Sequence, residues 1–133
     1  MIAVDTNVLV RYLTNDDQAQ AQRAYALLAR ATRVFVAKTV LLEAEWVLRR
    51  VYRLPPSAVL TGLRQIVGLP NTVVEAAEQV ARALRYLEQG LDFADGLHLA
   101  ASPGAERFYT FDRRFLRRAV ELGLTVVEPD VGA

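Results

Sequence analysis

The chain alternates short apolar runs with longer stretches in which apolar positions recur every three or four residues. Ile2-Ala3-Val4 is the first run; it ends at Asp5, and Val8, Leu9, Tyr12 and Leu13 then follow at helical spacing. Asn15-Asp16-Asp17 supplies N-cap candidates for a second helix carrying Ala21, Ala24, Tyr25 and Leu28 to about Ala31. Val34-Phe35-Val36-Ala37 reads as a strand, and Thr39 as the cap of a helix with Val40, Ala44, Val47 and Val51. Leu54-Pro55-Pro56-Ser57 ends that helix and opens another to Gly68, because proline is tolerated in a first turn and glycine favours an end. After a break at Pro70-Asn71, Thr72-Val73-Val74-Glu75 fits both a capping box and a short strand; its β-prone residues favour the strand, with a helix continuing to Gly90. Asp92-Phe93-Ala94-Asp95 opens a helix to about Ser102. Arg107 to Phe111 is aromatic and β-prone, Asp112 starts an amphipathic helix, and Leu124 to Val127 is a last strand.

Strands alternating with helices predict an α/β fold: a three-layer α/β/α sandwich with a central, mostly parallel sheet of four or five strands. With 133 residues, 53% of them hydrophobic, the chain is long and apolar enough for one domain spanning 1–133, with 129–133 a loose tail. There is no cysteine, which removes disulfides, thiolate zinc ligands and a cysteine nucleophile and fits a reducing compartment. The first ten residues lack a basic leader, and no uncharged apolar stretch approaches the roughly 18 residues of a membrane span. The expected location is the cytoplasm, away from membranes.

Chemistry is expected where acids follow strands, since open parallel sheets gather reactive groups at the carboxyl ends of their strands. Asp5 follows the first strand and Asp112 the aromatic one. Glu43 lies one turn into the helix after the second strand, with Val40, Thr39, Trp46 and Val47 as neighbours and no basic partner. Glu45, by contrast, has Arg49 four residues on and reads as half of a surface ion pair. Asp92 reads as a cap, and Asp95, three residues later, as either a capping-box acid or a metal ligand. Four converging carboxylates would repel by roughly 4 kcal/mol per close pair at an effective dielectric near 20, so together they call for a cation. With no cysteine and one histidine, that ion is a hard one, Mg2+ or Mn2+, completed by water and substrate phosphate.

The segments IAVDTNVLVRYL, VLLEAEWVLRR, LDFADGLHLA and FYTFDRRF, in this order and at these intervals, resemble the PIN domain family, and within it the VapC toxins of bacterial and archaeal toxin–antitoxin pairs. The resemblance covers nearly the whole chain. It implies a five-stranded parallel sheet between helices and a metal-dependent endoribonuclease whose acids are Asp5, Glu43, Asp95 and Asp112. It implies Thr6 or Asn7 as polar support near the metal, with Thr110 beside the last acid. It also implies a homodimer, an RNA substrate and a small DNA-binding antitoxin whose tail enters the acidic groove. Gly96, where the family often carries alanine, is a departure that bears on the stiffness of its helix start.

Net charge is only +1, yet every basic residue but Lys38 is an arginine. Arg113, Arg114, Arg117 and Arg118 lie at helical spacing beside Asp112, opposite an apolar face of Phe115, Leu116, Ala119 and Val120; they form either a solvated helix surface or a phosphate track towards the acids. Arg49, Arg50 and Arg53 make a second basic patch, in which Arg50 is the free candidate for RNA. His98 reads as a packed histidine outside the catalytic set. The tyrosines and Trp46 read as core or dimer surface rather than as base platforms.

These observations converge on a Mg2+- or Mn2+-dependent endoribonuclease. Asp5 and Asp95 are its principal metal ligands, Glu43 and Asp112 complete the acidic site, and water attacks directly; the family resemblance implies that the new phosphate is left on the 5′ end. Two rivals are a non-catalytic PIN-like module that binds RNA or a partner, and a phosphoryl transferase with Asp5 as nucleophile. The second is weakened by Asn7, where an acid would be needed, and by the presence of a single lysine.

Overall fold

Three short parallel strands organise the first part of the chain. β2 (Val34–Val36) lies between β1 (Ile2–Ala3) and β3 (Thr72–Val74), with Ile2 opposite Val34 and Val34 opposite Thr72. The ladder decides the ambiguity at Thr72-Val73-Val74: it is a strand. The protein is described here from a computed structural model covering residues 1–132, so that Ala133, the end of the expected tail, lies outside the described residues.

The chain forms two units, Met1–Val80 and Ala81–Ala133. The first holds these strands with α1 (Thr6–Thr14), α2 (Gln18–Arg30), α3 (Lys38–Arg50) and α4 (Pro56–Val67). Ala21, Ala24 and Leu28 of α2 and Leu41, Ala44 and Leu48 of α3 are buried, at the spacing of one helix face, as are Val34 and Val36 of the central strand. Asp17 is the N-cap of α2 and its carboxylate accepts from Gln20 N–H at 3.1 Å, while Pro56 opens α4 and Gly68 closes it.

One cap differs from expectation. α3 begins at Lys38, so Thr39 already lies inside the helix and is exposed, and the N-cap position is Ala37, which has no side chain to offer. The Lys38 N–H donates instead to Glu75 Oε1 at 2.8 Å, from just beyond β3. An orphan donor of the first turn is thus satisfied by an acid distant in sequence.

α5 (Ala77–Glu88) begins in the first unit and runs into the second, which continues with α6 (Phe93–Ala100), β4 (Phe108–Tyr109), α7 (Arg113–Leu122) and β5 (Val126–Val127). β4 and β5 pair in parallel, Phe108 opposite Val126. The second unit has its own core of Leu91, Phe115, Ala119 and Val126. Val120, expected on the apolar face of α7, is 77% exposed. It lies five residues, or about 140° of helical rotation, from Phe115 and so falls off the stripe that Ala119 continues. The α/β class and the parallel pairing of all five strands hold, with three strands laddered in the first unit and two in the second. Among the described residues no helix is long and apolar enough to cross a membrane.

Candidate active site

In the first unit the chain leaves β1 and turns into α1 at Asp5, whose backbone is extended (φ −85°, ψ 168°). Asp5 is the N-cap of α1: Oδ1 accepts from Thr6 N–H at 2.7 Å, which leaves Oδ2 without a protein partner among the described residues. Capping and ligand chemistry are therefore compatible, each using one oxygen. The Thr6 side chain is buried, and its hydroxyl donates to Glu43 Oε1. Thr6 thereby links the start of α1 to the acid on α3 and fixes the Glu43 carboxylate. Thr6→Val keeps the branched shape and removes this bond. It is expected to lower metal affinity or cleavage about 10–100-fold, as loss of a ligand's supporting partner does, with Thr6→Ser close to wild type in a metal titration of the cleavage rate.

Glu43 is exposed, and it is Glu45 that is buried, at 4% exposure. The Arg49 pair expected for Glu45 is present, Nε to Oε2 at 2.7 Å, but it is not a surface pair. Positions 41, 44, 45 and 48 share the inward face of α3, which places Glu45 among leucines and alanine and Glu43 outside.

In the second unit Asp112 is the N-cap of α7, with Oδ1 accepting from Phe115 N–H at 3.0 Å, while its own N–H donates to Thr110 Oγ1 at 3.0 Å. Asp92 holds the N-cap position of α6 but makes no capping bond with its side chain, contrary to expectation. Asp95, in the first turn of α6, makes none either. Burial pushes the Asp95 carboxyl above its ordinary range, and the neighbouring charges of Asp92 and Asp112 push the same way, against His98 and Arg114. Asp92 is therefore a member of the acidic group that sequence reasoning assigned to capping; the signal was its spacing of three residues, one helical turn, from Asp95. His98, expected to be packed, is exposed.

Gly96 has a structural reason. A Cβ there would sit 3.1 Å from Tyr86 Cβ and 3.4 Å from the Ala83 carbonyl oxygen, so glycine lets α6 approach α5 closely beside Asp95. Arg113, Arg114 and Arg117 are exposed on α7 and Arg50 at the end of α3, whereas Arg118 is engaged by Glu121 at 3.1 Å. Phe111, next to Asp112, is 71% exposed and was not singled out from sequence. The two-residue alternation from Phe108, which packs on the core, through Tyr109 points to this outward side.

None of Asp5, Glu43, Asp95 and Asp112 forms an ion pair among the described residues. No group of three or more His, Asp or Glu side chains among them is gathered as a metal cage. Mg2+ is typically held by one or two carboxylates, with water and substrate phosphate filling its shell, rather than by an all-protein cage. Unpaired carboxylates with spare oxygens fit that ion and do not fit a closed zinc-type site.

No curated protein matches the chain significantly. Among solved structures, the chain is similar to the crystal structure of Mycobacterium tuberculosis VapC20, described as a sarcin–ricin loop cleaving toxin. The two are 25% identical, the alignment covers 97% of this chain and 100% of that one, and the TM-score is 0.46. The profile of the PIN domain matches residues 2–121, a span that includes Asp5, Glu43, Asp95 and Asp112, and the chain belongs to the PIN domain family.

Proposed function

We propose that the protein is a Mg2+- or Mn2+-dependent endoribonuclease, the toxin of a toxin–antitoxin pair, acting in the cytoplasm as a homodimer that a cognate antitoxin restrains. The observation that carries this reading is Asp95: a half-buried carboxylate, raised in pKa by burial and by Asp92 and Asp112, with no ion pair among the described residues, in a PIN-domain chain. Like charges kept together at a cost in stability mark a functional site more often than a structural one.

Asp5 and Asp95 are the principal ligands in this reading, and Glu43 and Asp112 complete the acid set and orient the attacking water. When bound, the ion supplies positive charge to the phosphoryl group and raises the acidity of that water. The Thr6 hydroxyl donates to the Glu43 carboxylate, and Thr110 Oγ1 accepts from the Asp112 N–H in the turn that presents Asp112. Arg113, Arg114, Arg117 and Arg50 face solvent, where guanidinium forks engage RNA phosphates bidentately. Water attacks phosphorus and the P–O3′ bond breaks, leaving a 5′-phosphate and a 3′-hydroxyl, with no covalent enzyme intermediate.

End-labelled RNA incubated with the purified chain tests the reading. Cleavage is expected with Mg2+ or Mn2+, is abolished by chelator, returns when metal is restored, and yields 5′-phosphate ends. Cleavage that persists in chelator, or 2′,3′-cyclic phosphate ends, would overturn it.

A further inference from the structure

The first unit contains a cleft of about 470 Å³ between α1 and α2 that is separate from the arginines considered above. Asn7, Val8 and Arg11 line it from α1, and Gln20, Arg23, Leu27 and Arg30 from α2. The α2 residues recur at spacings of three, four and three, so they form one continuous face, which Ala24 borders on the side of the buried Ala21 and Leu28. Among the described residues no carboxylate lines the cleft itself, and Asp16 stands beside it on Arg11. Arg11 is held in place, Nε to Gln20 Oε1 at 2.7 Å and Nη1 to Asp16 Oδ1 at 2.9 Å. Arg23 and Arg30 have no carboxylate partner among the described residues. They stand two helical turns apart, about 10 Å along the axis.

We propose that this cleft is a phosphate-binding channel for single-stranded RNA, in which Arg23 and Arg30 hold the backbone of the strand flanking the bond that is cut. The inference rests on the reading of the chain as one that acts on RNA. The two guanidinium forks of Arg23 and Arg30, without a carboxylate partner among the described residues, offer repeated bidentate sites to a chain of phosphates. Ala24 and Ala26 leave the walls low, so a sugar–phosphate backbone approaches closely. Asn7 lines the cleft two residues beyond Asp5, so a strand engaged at Asp5 has a basic path along α1 and α2. An acidic protein segment shares the charge, but the reading of the chain as one that acts on RNA favours a phosphodiester backbone as the occupant.

The test is the salt dependence of binding of the full chain to a fluorescent single-stranded RNA in chelator, where binding is read without cleavage. Each phosphate contact contributes about −0.7 to the slope of log affinity against log salt. Arg23→Ala/Arg30→Ala is therefore expected to weaken binding and flatten the slope by about 1.4. Arg33→Ala/Arg85→Ala, which removes the same charge outside the cleft, is expected to leave the slope near wild type. Equal flattening by both pairs reduces the effect to net charge and overturns the proposal. So does oligoglutamate binding that depends on Arg23 and Arg30 while RNA binding does not, which would assign the cleft to a protein partner. A chain that binds RNA through the cleft and cuts none would leave this inference standing and remove the nuclease reading. A chain that cuts RNA with affinity indifferent to the two arginines would do the reverse.

Discussion

Asp95→Asn is expected to lower the rate of RNA cleavage about a thousandfold while making the metal-free protein more stable. The loss follows from the several kcal/mol of charge stabilisation that a bound divalent ion contributes, of which about 4 kcal/mol corresponds to three decades in rate. The gain follows from the raised pKa of Asp95, caused first by burial and then by Asp92 and Asp112. A carboxyl whose folded pKa lies above its unfolded value binds more protons in the folded state, so its contribution favours folding at low pH and is lost as pH rises through the folded pKa. At neutral pH the charged form is a burden on the fold, and the amide, which keeps the shape, relieves it. Thermal unfolding without metal should show the variant melting a few degrees above wild type at pH 7, with the gap closing as the pH falls towards 4. Mg2+ should raise the melting temperature of wild type more than that of the variant. A variant that melts below wild type at pH 7, or one that cleaves normally, would remove Asp95 from its assigned role.

The largest stability effect is expected at the Glu45–Arg49 pair. Glu45 is almost wholly enclosed and receives two guanidinium contacts, Nε to Oε2 at 2.7 Å and Nη2 to Oε1 at 3.4 Å. Removing one partner from a buried pair costs about 3–5 kcal/mol, because the remaining charge is stranded; with the Arg49 side chain 41% exposed, water screens part of this, and Arg49→Met should cost about 2–3 kcal/mol. Urea unfolding provides the measurement. Glu45→Leu/Arg49→Met should regain part of the loss, since no stranded charge remains, but not all of it, because the apolar pair gives up both guanidinium–carboxylate contacts. A double variant as unstable as Arg49→Met alone would show that the stranded carboxylate does not set the cost.

Features governed by neighbouring residues were legible in the sequence. Asp17 and Asp112 cap the helices that follow them, Pro56 and Gly68 bound α4, and the β-branched run at residue 72 became a strand, because caps, turns and short strands depend on a few adjacent side chains. The acids stood out for the same reason: each is set near the end of a strand or in the first turns of a helix. Less legible were features that depend on what packs where. Glu45 was judged by its partner four residues away, although the spacing of Leu41, Ala44 and Leu48 already placed it inward. The start of α3 was misplaced because its donor is satisfied by Glu75, and no local pattern announces a partner beyond another strand. The face of α2 carrying Arg23 and Arg30 was passed over because only its opposition to α1 turns ordinary surface arginines into the walls of a cleft.

The bond from Lys38 N–H to Glu75 also orders events during folding. The helix bearing Glu43 cannot close its first turn against this acceptor until the chain has been made as far as residue 75 and β3 has joined β2. A nascent or truncated product ending before that point would hold Asp5 and Glu43 in its sequence while lacking the anchor that sets where α3 begins. For a chain proposed to destroy RNA, maturation of its acidic groups is thereby tied to completion of synthesis well past both of them.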